Sequence, residues 1–354
     1  MRRPPTGLTD LLGISHPIIQ APMAGFSMAP LAAAVSNAGG LGSLGSATAG
    51  VEQVRTQIDA IRAATNRPFA LNFFVHAPPN DDPKRTARMG ERLAPYYREL
   101  GLAPPTSAGS PPPPFDDAAL EVVLAARPSV VSFHFGLPEA RQLREVKATG
   151  ARILSSATTV EEARWLESHG VDAVIAQGLE AGGHRATFRA PFASGEIGTM
   201  ALVPQVVDAV RCPVIAAGGI MDGRGIAAAL VLGAAGVQMG TAFLGCPEAT
   251  VDPVHRRELH GTRAGETRLT RLFSGRPARA IVNRYMREAT DAEAEVLDFP
   301  LQRGLSGPLA QACAERDSPD FIAMWAGQGA ALIRDLPAAQ LVEVLVAETE
   351  RALA

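Results

Sequence analysis

PVIAAGGIMDGRGIAAALVLGAAGVQMGT, residues 213–241, is the stretch whose reading decides the fold. Val214 to Ala217 and Val237 to Gly240 are short β-rich runs, and Gly225 to Leu232 between them is an alanine- and leucine-rich run of helical period. A strand, a helix and a second strand in that order form the βαβ unit of a parallel sheet. The alternation continues upstream. Further candidate strands are Ile18 to Ala21, Leu41 to Gly45, Phe69 to Phe74, Val130 to Phe135, Arg152 to Ser156 and Ala173 to Gln177. Helical runs separate the strands at Ala29 to Asn37, Val51 to Ala64, Asp117 to Ala126, Glu139 to Thr149, Val160 to His169 and Met200 to Val210. Eight strands exceed the roughly five to seven of most open doubly wound sheets, so the reading is an α/β chain closed as a (β/α)8 TIM barrel.

The eighth helix is displaced. About 80 residues separate strand eight from the last strong helical pattern, Gln340 to Leu353. Residues 248–330, rich in Arg, Gly and Pro, read as a smaller, mainly helical domain inserted after strand eight, with a helical stretch at Asp291 to Leu297. The barrel then comprises residues 1–247 and 331–354. A second insertion, Pro78 to Phe115, carries Pro104, Pro105 and the run Pro111 to Pro114, and is expected to be a surface excursion near the barrel mouth without helix or central strand.

Composition excludes several classes. The chain has 354 residues with 33 Lys+Arg against 36 Asp+Glu, a net charge of -3 that offers no basic field for nucleic acid or an anionic membrane. Leu11 to Val51 and Gly225 to Pro247 lack charged side chains, but glycines and polar residues break both, as expected of strands buried on both faces and their covering helices. Cys212, Cys246 and Cys313 are too few and too scattered for a disulfide framework or a metal site. Arg2 and Arg3 are followed by Pro4 and Pro5 where an export signal needs an apolar run, so the expected location is the cytoplasm.

Barrel enzymes place their chemistry at the C-terminal ends of the strands, often with phosphate at the loops after strands seven and eight. Here those loops carry Gly218-Gly219 and Gly240-Thr241, which read as a phosphate grip. After strand six, Gln177-Gly178-Leu179-Glu180-Ala181-Gly182-Gly183-His184-Arg185 places a histidine at the mouth, where it is either a proton-transfer group or a loop histidine with a structural hydrogen bond. Glu180 and Arg185 read as solvated loop charges. His134 is the other mouth-facing histidine, and the Asn72 amide either serves a ligand or caps its strand. Gln20 to Gly25 presents backbone suited to a planar aromatic cofactor. Met23, Phe73 and Phe74 read from their residue types as core, and Cys212 lies at the end opposite the site.

Seven stretches in order resemble the nitronate monooxygenase family, formerly 2-nitropropane dioxygenases, and its bacterial class I in particular. They are PIIQAPMAG (residues 17–25), NAGGLGS (37–43), SFHFGLP (132–138), QGLEAGGHR (177–185), AAGGIMDGRGI (216–226), VQMGTAF (237–243) and WAGQGA (325–330). The resemblance implies an FMN-binding barrel with a domain inserted after strand eight. FMN would be held at Pro22, Met23, Asn72, Gln177, Gly182, Gly218, Gly219, Gly240 and Thr241, with phosphate at the last four, and Gln328 completing the site. His184 maps onto the catalytic histidine. The implied reaction is oxidation of alkyl nitronates of the propionate 3-nitronate type by O2 to a carbonyl compound and nitrite. His134, Phe299 and Arg303 are the expected substrate contacts, and a homodimer is one assembly the reading allows.

The chain departs from the family pattern at Ala186, where glycine is usual. It also carries Phe115, Phe299, Arg303 and Gly307 where tyrosines and a lysine are usual near the mouth. The nearest alternative is an FMN-dependent NAD(P)H reductase of the enoyl-thioester or quinone type on the same barrel. A Schiff-base aldolase is disfavoured because the only lysines are Lys84, in the proline-rich excursion, and Lys147, on a helix.

Overall fold

Period-two alternation along short strands builds the barrel. In the computed structural model, which describes residues 7–261 and 263–354, the strands are β1 (Ile18–Gln20), β2 (Gly42–Gly45), β3 (Phe69–Phe74), β4 (Val130–His134), β5 (Arg152–Ala157), β6 (Ala173–Gln177), β7 (Gly183–His184, in a separate sheet), β8 (Val214–Ala217) and β9 (Gly236–Met239). The residues read for an export signal, 2–5, lie outside the described part. Eight strands run parallel in the order β1-β9-β8-β6-β5-β4-β3-β2, and the bridge between Ile19 and Leu41 joins the two ends. Ile19, Leu41, Ala70, Val130, Leu154, Ile175 and Ile215 form one buried cluster inside the ring, whereas their sequence neighbours Ile18, Leu71, Val131, Ile153 and Val174 pack in the cluster beneath the helices. Two residues further along β3, β4, β5 and β6, the same inward face carries Asn72, Ser132, Ser156 and Gln177, so a polar layer overlies an apolar one at the mouth.

The helices are α1 (Gly7–Leu12), α2 (Ala29–Asn37), α3 (Val51–Ala64), α4 (Pro83–Glu99), α5 (Asp117–Ala126), α6 (Ala140–Ala148), α7 (Val160–Ser168), α8 (Thr199–Ala209), α9 (Gly223–Val231), α10 (Pro253–Leu259), α11 (Arg284–Glu288), α12 (Gln302–Ala314) and α13 (Ala338–Leu353). Their bounds match the sequence reading to within two residues for α2, α3 and α5 to α9. α13 packs against α9 and α2 and completes the outer ring across the insertion. α1 was not expected from the sequence; Leu8 and Leu12 pack with the inner cluster and close the floor of the barrel.

The insertion is not helical throughout. β10 (Thr267–Thr270) and β11 (Ala278–Ile281) form an antiparallel pair, and β11 also pairs with β7, which carries His184. The stretch Asp291 to Leu297 contains a single 3-10 turn, Thr290–Ala294, in place of the expected helix.

The Pro78 to Phe115 excursion corrects its reading. It contains α4, a helix of 17 residues, because Pro83 sits at the first turn, where no backbone donor is needed, and Asp82 caps Lys84 N. Met89, Leu93 and Tyr97 recur every fourth residue, forming an apolar stripe that enters the core of the insertion with Leu305 and Leu309 of α12. The Tyr97 hydroxyl donates to the Leu305 carbonyl at 2.6 Å. The two insertions therefore share one hydrophobic core.

Candidate active site

The polar layer is joined to the insertion through a single backbone oxygen. The carbonyl of His184 accepts from Gln177 Nε2 at 3.0 Å and from His134 Nε2 at 3.1 Å. A carbonyl can only accept, so His134 carries its proton on Nε2 and its Nδ1 accepts from Ser156 Oγ, 3.2 Å away. Gln177 Oε1 in turn accepts from Arg185 Nη1 at 3.0 Å and Ala186 N at 2.9 Å. The loop that presents His184 is thus fixed from inside the barrel and, through β7 and β11, from the insertion.

Arg185 is not solvated, and Glu180 is half-buried and hydrogen-bonded. Arg185 is only 1% exposed, and it donates to the carbonyls of Gly178 and Gly195 as well as to Gln177. Burial, with Arg279 nearby, lowers its pKa to about 10. Glu180 accepts from Thr199 N and Oγ1. Arg276, with its pKa lowered to about 10 by burial, donates to the carbonyls of Arg185 and Thr187, and Arg279 donates to Leu179 and Thr267. Three guanidinium groups therefore bind loop carbonyls. Individual arginines carry no motif, and this arrangement could not be read from the sequence.

The imidazole of His184 is partly buried. Its ring lies 5.2 Å from that of Phe299, 5.3 Å from Trp325, 6.0 Å from Phe74 and 6.2 Å from Phe135. Phe74 accordingly belongs to the site, whereas Phe73 is in the core. Phe115 lies in that core against Phe73 and Phe133, away from the mouth position considered for it. Phe135 holds a left-handed backbone, φ 75°, at a cost of roughly 1–3 kcal/mol. This conformation sets its ring beneath the Arg276 guanidinium, whose carbon is 3.8 Å from the ring centroid. Such strain on an aromatic residue concentrates at functional sites.

Burial pushes the pKa of His184 down to about 3, with His134, Arg276, Arg303 and His76 acting in the same direction. His134 is likewise lowered to about 3 by burial. Among the described residues no carboxylate offsets Arg276 and Arg303 at His184, so its imidazole is neutral near pH 7. His76, which the sequence reading overlooked, sits edge-on to Phe299 at 4.9 Å with its buried Nδ1 unpartnered. Its position just past the end of β3 was the available signal. Arg303 is exposed at the start of α12, and Gly307 lies on the same helix.

Several of the expected cofactor residues present unused hydrogen-bonding groups. The N–H groups of Gly218, Gly219, Gly240 and Thr241 donate to no acceptor among the described residues. Gly218 and Gly219 have φ values of 113° and 72°, which an L side chain rarely adopts. Asn72 Nδ2 donates to the carbonyl and hydroxyl of Ser132, leaving Oδ1 without a donor among the described residues. Met23 lies beside Gly240: a Cβ built there would be 3.6 Å from its sulfur. Pro22 precedes Met23 in the same partly buried loop. Gly182 serves a different contact, since a Cβ there would lie 2.6 Å from Gly327 N. Gly327 N donates to Thr241 Oγ1 at 2.9 Å and Gln328 N to the Glu180 carbonyl at 2.9 Å, which brings the last loop against the glycine loops; the Gln328 side chain is exposed. Backbone donors at one end and an amide acceptor at the other fit a phosphorylated planar cofactor. Among the described residues, no helix is long and apolar enough to cross a membrane and no group of three or more His, Cys, Asp or Glu could hold a metal ion.

The chain as a whole is similar to known proteins. A family model described as nitronate monooxygenase matches residues 6–348. A nitronate monooxygenase of Pseudomonas aeruginosa is 48% identical over 343 residues, covering 96% of this chain and 98% of that protein. One from Paraburkholderia phytofirmans is 45% identical over 349 residues, covering 98% and 95%. Among solved structures, a nitroalkane oxidase from Streptomyces ansochromogenes superposes with a TM-score of 0.90 at 41% identity, covering 98% of each chain. FabK from Thermotoga maritima gives 0.77 at 32% identity, covering 99% of this chain and 98% of that one.

Proposed function

The chain belongs to the nitronate monooxygenase family, whose members are flavin-dependent oxidoreductases, and from that premise we propose that it binds FMN and oxidises alkyl nitronates with O2 to a carbonyl compound and nitrite. The observation that carries this reading is the imidazole of His184 set among the rings of Phe74, Phe135, Phe299 and Trp325, with the Arg276 guanidinium lying over Phe135. Such a site favours an anion with an apolar body. FMN would be held by the free N–H groups of Gly218, Gly219, Gly240 and Thr241 at its phosphate and by Asn72 and Gln177 at its ring edge, with Met23 and Pro22 beside the ring and Gly182 and Gln328 in the adjoining loops. When bound, the flavin supplies the acceptor for the electrons of the nitronate and their passage to oxygen.

The protein's own residues bind and orient. Arg276 and Arg303 attract the anion, Phe74, Phe135 and Phe299 exclude water from its apolar part, and His184 meets the nitro group. With a neutral nitroalkane, His184 takes the proton from the α-carbon; with a nitronate, it stabilises the anion. His134 acts through the His184 carbonyl rather than on substrate. Propionate 3-nitronate is the model substrate, and Arg303 is the residue we assign to its distal carboxylate. The three free cysteines suit a reducing cytoplasm, and we take a homodimer as the working assembly.

Anaerobic absorbance titration of the purified protein with propionate 3-nitronate in one sample and NADH in another tests the reading. Flavin reduction by the nitronate alone is expected. Bleaching by NADH alone would favour the reductase alternative, which the likeness to FabK keeps in view, and a colourless protein unable to take up FMN would overturn both.

A further inference from the structure

Ser274 lies before β11 and is 5% exposed. Its Oγ is 2.9 Å from His184 Nε2. The same oxygen is 3.4 Å from the Arg276 N–H and 3.3 Å from the Arg276 carbonyl. A hydroxyl has one hydrogen and two lone pairs, so two arrangements are open without moving a heavy atom, the second giving up the 3.3 Å bond to the Arg276 carbonyl. With the hydrogen on the Arg276 carbonyl, Oγ accepts from Nε2–H, and Nδ1 of His184 carries a lone pair. With the hydrogen turned to Nε2, Nδ1 carries the proton. Nδ1 itself has no hydrogen-bond partner among the described residues.

We propose that Ser274 is a positioning residue of this site, holding His184 by Nε2 so that Nδ1 is presented to substrate and setting by its hydroxyl orientation whether Nδ1 accepts or donates. The inference rests on the nitronate-oxidising reading and adds the residue that adapts one histidine to two forms of substrate. Towards a neutral nitroalkane, the α C–H bond breaks and an Nδ1–H bond forms. The electron pair stays on the substrate as the nitronate, while Nε2–H continues to donate to Oγ. Towards a nitronate, Nδ1–H donates to a nitro oxygen while Oγ–H supports Nε2. A carboxylate in place of Ser274 would hold Nε2–H permanently and stabilise the imidazolium, as the third member of a nucleophile triad does. A hydroxyl does neither. The other ionisable groups around the ring, His134, Arg276, Arg303 and His76, also disfavour a second positive charge. Proton abstraction is therefore the weaker of the two roles, and the site prefers the substrate already ionised.

Ser274→Ala and Ser274→Thr, assayed as flavin-loaded protein with nitroethane and with ethyl nitronate, test the idea together with 15N spectra of histidine-labelled protein in which His184 is assigned through His184→Asn. The alanine variant, which keeps the base and loses only its support, should lose roughly 10- to 100-fold in nitroethane turnover, less than the roughly 100- to 10,000-fold of a whole general base, and much less in nitronate turnover, with the His184 nitrogen shifts displaced to one tautomer. Threonine, which keeps the hydroxyl, should restore both the ratio and the shifts. Equal losses on the two substrates, threonine behaving as alanine, or unchanged His184 shifts in the alanine variant would each overturn the proposal. If the alanine variant does not fold, Ser274→Cys, with its weaker donor, should fall between wild type and the expected loss; wild-type behaviour on both substrates would count against the role. Should wild type turn over neither substrate, the functional reading fails by itself, and the 15N shifts still decide whether Ser274 governs the tautomer.

Discussion

His184 makes no contact with a carboxylate, and that sets what it can do. With its pKa pushed down to about 3 by burial and by the cations around it, it is a neutral imidazole near neutral pH, with one N–H retained, and a weak proton acceptor. Replacing His184 with Asn keeps a hydrogen-bonding side chain and removes the base. Nitroalkane turnover, followed by oxygen uptake, should fall by about 100-fold or more, and nitronate turnover far less; equal losses would refute the base assignment. Arg303 offers the complementary test. Arg303→Gln should raise KM for propionate 3-nitronate by about two- to fivefold, the scale of one exposed charge contact, while kcat for an uncharged-chain nitronate stays close to wild type. A parallel rise for both substrates would assign Arg303 to the nitro group instead of the distal carboxylate.

At the scale of elements, what could be read from sequence was what repeats. Eight β-rich runs and the helices between them were visible because strand and helix periods recur, and the inward face carrying Asn72, Ser132 and Gln177 follows from counting along each strand. The mouth glycines and His184 were legible because motif and loop position coincide. α4 was hidden by its flanks: prolines on both sides of residues 83–99 drew attention from the stripe Met89, Leu93 and Tyr97. Arg185, Arg276 and Arg279 were unreadable because their partners are backbone carbonyls, which have no sequence identity and meet only in the fold. Ser274 was hidden by distance, its partner, the His184 imidazole, lying 90 positions away. The junction of Gly182 and Gly327 gives an element-scale prediction. A methyl at Gly182 would force the last loop from Thr241 and disturb the N–H groups beside it. Gly182→Ala should therefore purify with less flavin, seen in the ratio of absorbance at the flavin and protein bands, and with a melting temperature lower by several degrees, as expected for a loss of about 1–3 kcal/mol. Full flavin content at the wild-type melting temperature would show that the loops do not act as one unit.

At the scale of the whole molecule, barrel and insertion share a liability to acid. His134 and His184 have pKa values lowered to about 3, and His76 and His255 to about 4, with burial the largest cause at each. Unfolded, each would titrate near 6.5. The unfolded chain therefore binds these protons first as pH falls. Their stabilising effect is fully present above about pH 6.5 and is lost progressively between there and pH 4 to 3. His255 separates this effect from catalysis, because it sits on α10, 1% exposed and edge-on to Phe26 at 5.5 Å, where burial outweighs the opposing effects of Asp252 and the Trp325 backbone. For a group with these two pKa values the linkage amounts to about 2 kcal/mol between pH 7.5 and pH 5. Phenylalanine at this position preserves the ring contact and cannot take a proton. Urea unfolding of His255→Phe at the two pH values should show a fall in stability smaller than that of wild type by about this amount, whatever the absolute stability of the variant. A fall equal to that of wild type would mean that His255 titrates alike in the folded and unfolded chain, through water reaching α10, and would leave the acid sensitivity to the histidines of the barrel mouth.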